Sequence, residues 1–571
     1  MLGLFENILN TKKPGMQDSF FDLGGNSLNA ISLQIAIEEV FSQKLNFQII
    51  FNNSTPEKLL KSFSKNQTTK VSLPFSKKGT QGKTSLSVQQ KALFFYQQAN
   101  PNNTSYNIAY SIKLNGSITI DCLTKSIQKI IFSNELLSSK IIIDNEQLFF
   151  KYEKKNIELA IETLELITNS EKDSFINNSI SNLASIPFNL NTHLFKFKLF
   201  KVSSKIYVLG FVVNHLIFDG ESLPNFIRQL IYFYDDNKNT KTLTIPSFKE
   251  ITSLRNQYEK TEKYKESLGF WKRYLKDVKE IIGFPKLYLN KKNTAFESGT
   301  ISTNIDADLR KKLKRVSLKE NITLNVLLLS AFITTLNKIS KKEEYLIAVP
   351  FSNRLSKAEQ ECIGYLSNTL FIRSTVNSTK KFSSLAKQLK SDIIQILDHQ
   401  QIPFDELIKI LRKNGVNLTM HAFKLLFTYH QKDKYSLKSS KLDIDAKEVK
   451  NKKSKCELQF ECFDDSDMIE LKITYDKKTI DEPIVLQFVR ILKQILINIV
   501  EDFNSELSVI PKIWKSEKDA ILESSIGRNV DFKRELTLFN LFKKAWEKYP
   551  NLTAINFYNT DLSYDQLMKK T

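Results

Sequence analysis

The run Ile206 to Val213 sets the first constraint on the fold. Its nearly unbroken series of β-branched and aromatic side chains, with no polar face, reads as a strand buried on both sides. It leads into Asn214-His215, and after three intervening residues comes Asp219-Gly220, where Asp bonds its own backbone and Gly accepts a positive φ, so a turn is expected. Ser222 then reads as a cap for an apolar helix from Leu223 to Tyr234. A buried strand feeding a helix implies an α/β scaffold, and a histidine at the strand's C-terminal end is where such a scaffold places a proton-transfer group. The HxxxDG spacing alone is short, and by itself fits a core or strand-end histidine making one structural hydrogen bond more readily than a catalytic one.

Length and charge narrow the class. At 571 residues the chain has room for about three or four domains. No apolar run of the roughly 18 residues needed for a membrane span stands out, and the N-terminus lacks a charged start followed by a hydrophobic signal segment. A cytoplasmic protein with no membrane partner is expected. Cys122, Cys362, Cys456 and Cys462 are too scattered for a disulfide framework and none has CxxC spacing, so buried free thiols are expected. A net charge of +21 invites a nucleic-acid partner, but its distribution argues against one. Residues 1–69 balance six acids (Glu6, Asp18, Asp22, Glu38, Glu39, Glu57) with six lysines (Lys12, Lys13, Lys44, Lys58, Lys61, Lys65). The later excess is spread as single lysines and pairs, without aromatic-basic interleaving.

Taken in order, the chain opens with a small helical segment, residues 1–65. Leu2 to Leu9 is a short apolar-periodic piece, Asn10 to Asn26 a Gly, Asp and Lys-rich loop, and Ser27 to Phe41 a helix. That helix is apolar on two sides, Leu28, Ile31 and Ile35 on one and Leu33, Ile37 and Val40 on the other, so one side can pack inward while the other meets a partner. Ser54 or Thr55 before Pro56 and Glu57 opens a further helix. A bundle of three or four helices results. Residues 66–85 are polar and aperiodic and read as a linker. Residues 86–512 mix strand and helix signals without repeats, and 513–571 follow.

Asp18-Ser19-Phe20-Phe21-Asp22-Leu23-Gly24-Gly25-Asn26-Ser27-Leu28-Asn29-Ala30 resembles the peptidyl carrier protein motif DxFFxLGGxSLxA, whose serine receives a 4′-phosphopantetheine arm. The residues suit that chemistry. Gly24 and Gly25 permit a tight turn, and a phosphodiester on Ser27 would sit at the positive end of a helix dipole, near unpaired N–H groups. The resemblance implies a phosphopantetheinyl transferase and an upstream adenylation domain as partners. Without it, Ser27 would be only a helix cap.

Residues 86–512 resemble the condensation domains of nonribosomal peptide synthetases, element by element and in family order. Leu86 to Phe95 is similar to the opening SxAQxRLWxL. Ser133-Asn134-Glu135-Leu136-Leu137-Ser138-Ser139 falls where the family has RHExLRT, and Ile186-Pro187-Phe188-Asn189-Leu190 resembles PFDL. His215 to Gly220 matches the end of HHxxxDG. Val349 to Arg354 precedes Ile363 to Arg373, which is similar to IGxFVNTLxLR, and His399 to Asp405 is similar to HQDxPFE.

The resemblance implies two chloramphenicol-acetyltransferase-like lobes in a V, about 86–250 and 251–512, with a tunnel between them. A carrier bearing a donor thioester would enter on one side, and a downstream carrier bearing an aminoacyl thioester on the other. His215 would act on the attacking amine as a general base, or hold it and stabilise transition-state charge. Gly220 would let substrate approach, and backbone N–H groups at the following helix start would be oxyanion donors. Asn214 replaces the family's first histidine and keeps hydrogen-bonding capacity. Asp219 would be structural, paired with arginine, yet the expected arginine positions hold Ser133 and Ser138. Arg354 or Arg373 is the replacement to expect, with Asn368 as a further supporting residue.

Residues 513–571, including Glu535 to Phe542, Tyr549-Pro550 and Leu562 to Leu567, resemble the start of an adenylation domain. The chain is therefore expected to be a fragment ordered carrier, condensation, adenylation, beginning inside the first carrier helix and stopping before any phosphate-binding loop. The alternatives are an epimerisation domain, which shares the HxxxDG loop, and a catalytically degenerate docking platform, for which the missing arginines are the motive.

Overall fold

The strand Ile206–Asn214 lies near the middle of a six-stranded sheet in the computed structural model, with Asn107–Gly116 on one side and Phe195–Lys201 on the other, both antiparallel to it. The structure describes residues 1–9, 11, 13–25, 27–41, 45, 47–63, 82–164, 168–235, 243–285, 298–377, 379–417, 423–431, 436–449, 453–465, 467–509, 515–527, 537–558 and 560–571. Asn10, Lys12, Asn26, Glu535, Leu536 and the expected linker up to residue 81 lie outside them. Two units make up the chain, Met1–Ile510 and Pro511–Thr571.

Burial on both faces accounts for the apolar run. Leu209, Phe211 and Val213 belong to one core with Ile127, Ile131, Phe226 and Leu230, supplied by the helices Ile120–Ser133 and Ser222–Tyr234. Val208 and Val212 point the other way, onto Ile176 and Ile180 of the helix Asn169–Ala184. Gly210 lets that helix approach, since a Cβ there would come within 2.9 Å of Ile180.

A second six-stranded sheet runs in the order Asn368–Thr375, Glu344–Phe351, Leu425–Gln431, Leu458–Asp464, Ile469–Asp476, Ser298–Ile305. One face carries Phe427 and Phe460, which pack with Phe332 of the helix Leu324–Ser340 and Phe488 of the helix Glu482–Glu501. That last helix corrects the expectation that no apolar run is long enough for a membrane. By length and composition it is, and Ile484, Val485, Phe488, Ile491 and Leu492 bury its apolar stripe in this core.

The division into lobes at residue 250 also needs correction. Ser436–Lys438 and Leu442–Glu448 cross back and complete the first sheet, the latter pairing antiparallel with Asn107–Gly116 from Gly116 to Tyr110. Similarly, Lys83–Ser85 at the end of the expected linker is a strand paired with Gln147–Tyr152. Among the thiols, Cys362, Cys456 and Cys462 are buried, but Cys122 is exposed on its helix.

The N-terminal bundle consists of the helices Leu2–Leu9, Ser27–Phe41, Phe47–Asn52 and Pro56–Phe63, with Phe5 against Phe20 and Phe21 stacked on Phe51. Both apolar sides of the Ser27–Phe41 helix are largely covered, with Ile31, Leu33, Ile35 and Ile37 buried while Val40 stays exposed. Part of the cover comes from the large domain of the same chain. Gln360 Nε2 donates to Ser32 Oγ at 3.2 Å, Phe47 N donates to Asp398 Oδ1 at 3.2 Å, and Lys357 faces Glu39 at 3.9 Å.

The C-terminal unit has a helix Leu538–Lys548 capped by Thr537, a hairpin of Thr553–Phe557 and Thr560–Ser563, and a short helix Tyr564–Met568 opened by a Ser563–Gln566 capping box.

Candidate active site

His215 sits just beyond the buried strand, its N–H donating to Tyr106 O at 2.9 Å. The half-buried imidazole is flanked by aromatic rings, Tyr365 at 4.7 Å and Tyr106 at 6.3 Å between centroids. Nδ1 is buried and has no hydrogen-bond partner among the described residues. Burial, and then the nearby Lys455, push the imidazole down to about 4, against the pull of Asp219. The ring is therefore neutral at pH 7, with a lone pair free for a proton.

Asn214 turns inward. Its Nδ2 donates to Asn107 Oδ1 at 3.2 Å and Gln97 Oε1 at 3.3 Å, and its Oδ1 accepts from Leu216 N at 3.0 Å, so it fixes the strand end from beneath. Gln90, wholly buried, adds a hydrogen bond from Nε2 to Leu216 O at 2.8 Å.

Asp219 is buried and fully engaged. Oδ1 accepts from Arg354 Nη2 at 2.7 Å and from the Ser222 hydroxyl and N–H at 2.8 and 3.0 Å; Oδ2 accepts from Leu366 N and Ser367 N at 3.0 and 2.9 Å. Burial by itself would raise this carboxyl, but the guanidinium and these donors outweigh it and hold it below the ordinary carboxylate range. Arg354 is equally enclosed. Nη1 donates to Cys362 O at 2.7 Å and to Glu359 O, and Nη2 to Gly364 O at 3.2 Å. Buried charges are tolerated when paired and hydrogen-bonded in this way. The other candidate, Arg373, lies elsewhere, with Nε on Glu344 at 2.5 Å and Nη1 on Lys276 O at 2.7 Å.

The expected arginine positions serve other ends. Ser133 is exposed, while the buried Ser138 donates to Asn134 O at 3.2 Å and to Ile131 O, closing the helix Ile120–Ser133. Ser222 is not the cap foreseen for the next helix. It is the first residue of Ser222–Tyr234, Glu221 precedes it, and its hydroxyl joins Asp219 to Gly364 O at 3.0 Å. The Ser222 N–H is thereby consumed and cannot serve as an oxyanion donor.

Gly220 is exposed, and a Cβ built there would meet no atom within 4 Å. Space thus lies open immediately beyond Asp219. Tyr365 also lines a cleft of about 580 Å³, open solvent at its mouth included, together with Gln89, Phe248, Arg255, Asn353 and Pro403. Asn368 ties its walls together, accepting from Gln89 Nε2 at 2.7 Å and donating to Gln400 O and Ile402 O at 2.8 and 2.7 Å. Tyr106 and Tyr365 were not legible as site residues. Gln90 carried a signal, because it holds the glutamine position of the opening motif.

At the N-terminal bundle, Ser27 is the first residue of the helix Ser27–Phe41. The preceding loop is built for glycine. Gly24 has φ +102°, and a Cβ at Gly25 would come within 2.5 Å of Phe20. A serine at a helix start behind such a turn fits a phosphodiester-linked arm, since the helix start offers N–H groups and the positive dipole end.

Residues 2–62 match the Phosphopantetheine attachment site family, so the bundle is a phosphopantetheine carrier. Bacitracin synthase 3 of Bacillus licheniformis is 24% identical over 574 residues, and tyrocidine synthase 3 of Brevibacillus parabrevis 22% over 573. The matches cover 100% and 99% of this chain, which spans only 9% of each of those proteins. Among solved structures, the first condensation domain of the calcium-dependent antibiotic synthetase, in complex with substrate analogue 3a, superposes with TM-score 0.65 at 13% identity, over 76% of this chain and 99% of that one. A four-domain nonribosomal peptide synthetase, holo-AB3403 bound to AMP and glycine, gives TM-score 0.72 at 16% identity, over 85% of this chain and 38% of that one. At such identities the structures speak for the fold alone. The Condensation domain family matches residues 80–522, most of the chain, and to that family the chain belongs.

Proposed function

We propose that this chain is part of a nonribosomal peptide synthetase, in which the condensation domain transfers an acyl or peptidyl group from the carrier at Ser27 to the amine of an aminoacyl thioester on a downstream carrier. The two six-stranded sheets correspond in this reading to chloramphenicol-acetyltransferase-like lobes in a V, and residues 513–571 to the start of an adenylation domain. A phosphopantetheinyl transferase and an upstream adenylation domain would load the carrier.

Phosphopantetheine on Ser27 would supply the thioester, whose carbon–sulfur bond is exchanged for a carbon–nitrogen bond. His215, neutral at pH 7, accepts a proton from the attacking nitrogen, or holds that nitrogen in line. Asp219 and Arg354 are positioning residues that clamp the loop so that Gly220 faces open space. Asn214 and Gln90 fix the strand end from which His215 projects, and Asn368 holds the opposite wall. The observation that carries the reading is a neutral, half-exposed His215 beside a loop locked by the Asp219–Arg354 pair. The guanidinium answers the motive for a degenerate domain, the missing arginines. Fold likeness extends, however, to the X-domain in complex with OxyB from teicoplanin biosynthesis, TM-score 0.65 at 14% identity, so a docking platform is the second reading.

The test is to load Ser27 with an acyl group, add a carrier bearing an aminoacyl thioester, and look for amide product by mass spectrometry. Product supports acyl transfer; its absence with both carriers intact supports the docking platform.

A further inference from the structure

Two tyrosine rings flank the His215 imidazole, and one of them, Tyr365, also borders the open cleft. Its ring lies 4.7 Å from the imidazole between centroids, tilted by 59°. Tyr365 is half-buried, and its hydroxyl makes no hydrogen bond to any described residue. A tyrosine enclosed in this way ordinarily finds a partner, because its ring suits an apolar setting and its O–H does not.

The backbone on either side of Tyr365 is fixed. Gly364 N donates to Ser222 Oγ at 3.0 Å, and Gly364 O accepts from Arg354 Nη2 at 3.2 Å. Leu366 N donates to Asp219 Oδ2 at 3.0 Å, and Leu366 O accepts from Arg255 Nη1 at 3.1 Å and Asn353 Nδ2 at 3.2 Å. Tyr365 is thus carried by the same hydrogen bonds that clamp Asp219. Its place beside His215 is set before any substrate arrives, as the stabilisation of a developing charge requires.

A hydroxyl there answers a need of the chemistry. Attack on a thioester moves an electron pair onto the acyl oxygen, and the Ser222 N–H, expected to meet it, is spent on Asp219. Burial, and then the acids Asp219 and Asp405, push the phenol up, so at neutral pH it keeps its proton and can donate it in a hydrogen bond.

We infer that the Tyr365 hydroxyl donates a hydrogen bond to the acyl oxygen as that oxygen gains negative charge, which makes Tyr365 a catalytic residue alongside His215. Resting on the acyl-transfer reading, this adds the group that meets the oxyanion. The nitrogen–carbon bond forms as the carbonyl π pair moves to oxygen, and His215 takes the proton from nitrogen. The pair then returns, the carbon–sulfur bond breaks, and the proton passes to sulfur. Tyr365 keeps its own proton throughout.

The test uses the full chain loaded at Ser27 with an acyl group, and a carrier-bound aminoacyl acceptor at saturation. Single-turnover amide formation is compared between wild type and Tyr365→Phe, which keeps the ring and removes only the hydroxyl. Loss of one preorganised donor should slow the variant about 10²–10³-fold, with unfolding midpoint and His215 titration unchanged. A second readout separates contact from packing. By calorimetry, wild type should bind a pantetheine phosphonamidate, a tetrahedral anion, at least about ten-fold more tightly than the planar pantetheine amide. Tyr365→Phe should lower that ratio by weakening the phosphonamidate alone. Equal rates in the two proteins, no preference in wild type, or a slower variant that keeps the wild-type ratio overturns the role of Tyr365 alone. No amide from wild type contradicts the acyl-transfer reading, and the role of Tyr365 with it.

Discussion

Arg354 donates to Asp219 at 2.7 Å from 135 residues away, and both side chains are buried. The pair joins the HxxxDG loop to the segment Cys362 to Ser367, whose carbonyls and N–H groups the two side chains also bind. Loop and segment therefore share one set of hydrogen bonds.

Removing one charge leaves the other buried and unpaired. Asp219→Asn or Arg354→Met should each cost about 3–5 kcal/mol, measurable by denaturant unfolding. Their combination should cost less than the sum of the two, because neither ion is then stranded.

His215 should stay neutral well below pH 6.5. A buried imidazole with a depressed value binds its proton later than the unfolded chain does, so stability is full above about pH 6.5 and falls as pH drops toward 4. The chain has five histidines, which suits an imidazole NMR titration. A His215 midpoint near 4 is expected, and a midpoint at 6.5 or above would contradict the assigned environment.

Loading should depend on one hydroxyl and one turn. A phosphopantetheinyl transferase should add the arm to the wild-type chain and not to Ser27→Ala. Gly25→Ala forces Phe20 to shift, because its Cβ would come within 2.5 Å. It should unfold the bundle at lower denaturant, by about 1–3 kcal/mol for an overpacked site.

Phe47 N on Asp398 is one of the polar contacts by which the bundle meets the large domain. Asp398→Ala removes the acceptor of Phe47 N. Hydrogen exchange at that amide should accelerate while the core strands Glu344–Phe351 and Leu458–Asp464 keep their protection.

Some of this was legible in the chain and some was not, for physical reasons. The strand before His215 could be read because burial on both faces leaves an unbroken apolar run, and Ser27–Phe41 because its two apolar sides repeat at helical spacing. Arg354 and Arg373 could not be told apart, since both follow strand-like runs. Only the fold puts one at the loop and the other, across the paired strands, on Glu344. The crossing of 436–448 leaves no mark either, because an alternating strand looks the same whichever sheet accepts it. Ser222 stands where a cap would, and its hydroxyl is instead drawn to a carboxylate three residues back.

The central claim is that His215 takes part in acyl transfer. The most direct measurement is single-turnover amide formation by the Ser27-loaded chain with a carrier-bound aminoacyl acceptor, comparing wild type with His215→Ala under saturating acceptor. A general base or positioning imidazole should make the variant slower by about 10²–10⁴-fold, with carrier loading and unfolding midpoint unchanged. Equal rates in the two proteins would contradict the assignment.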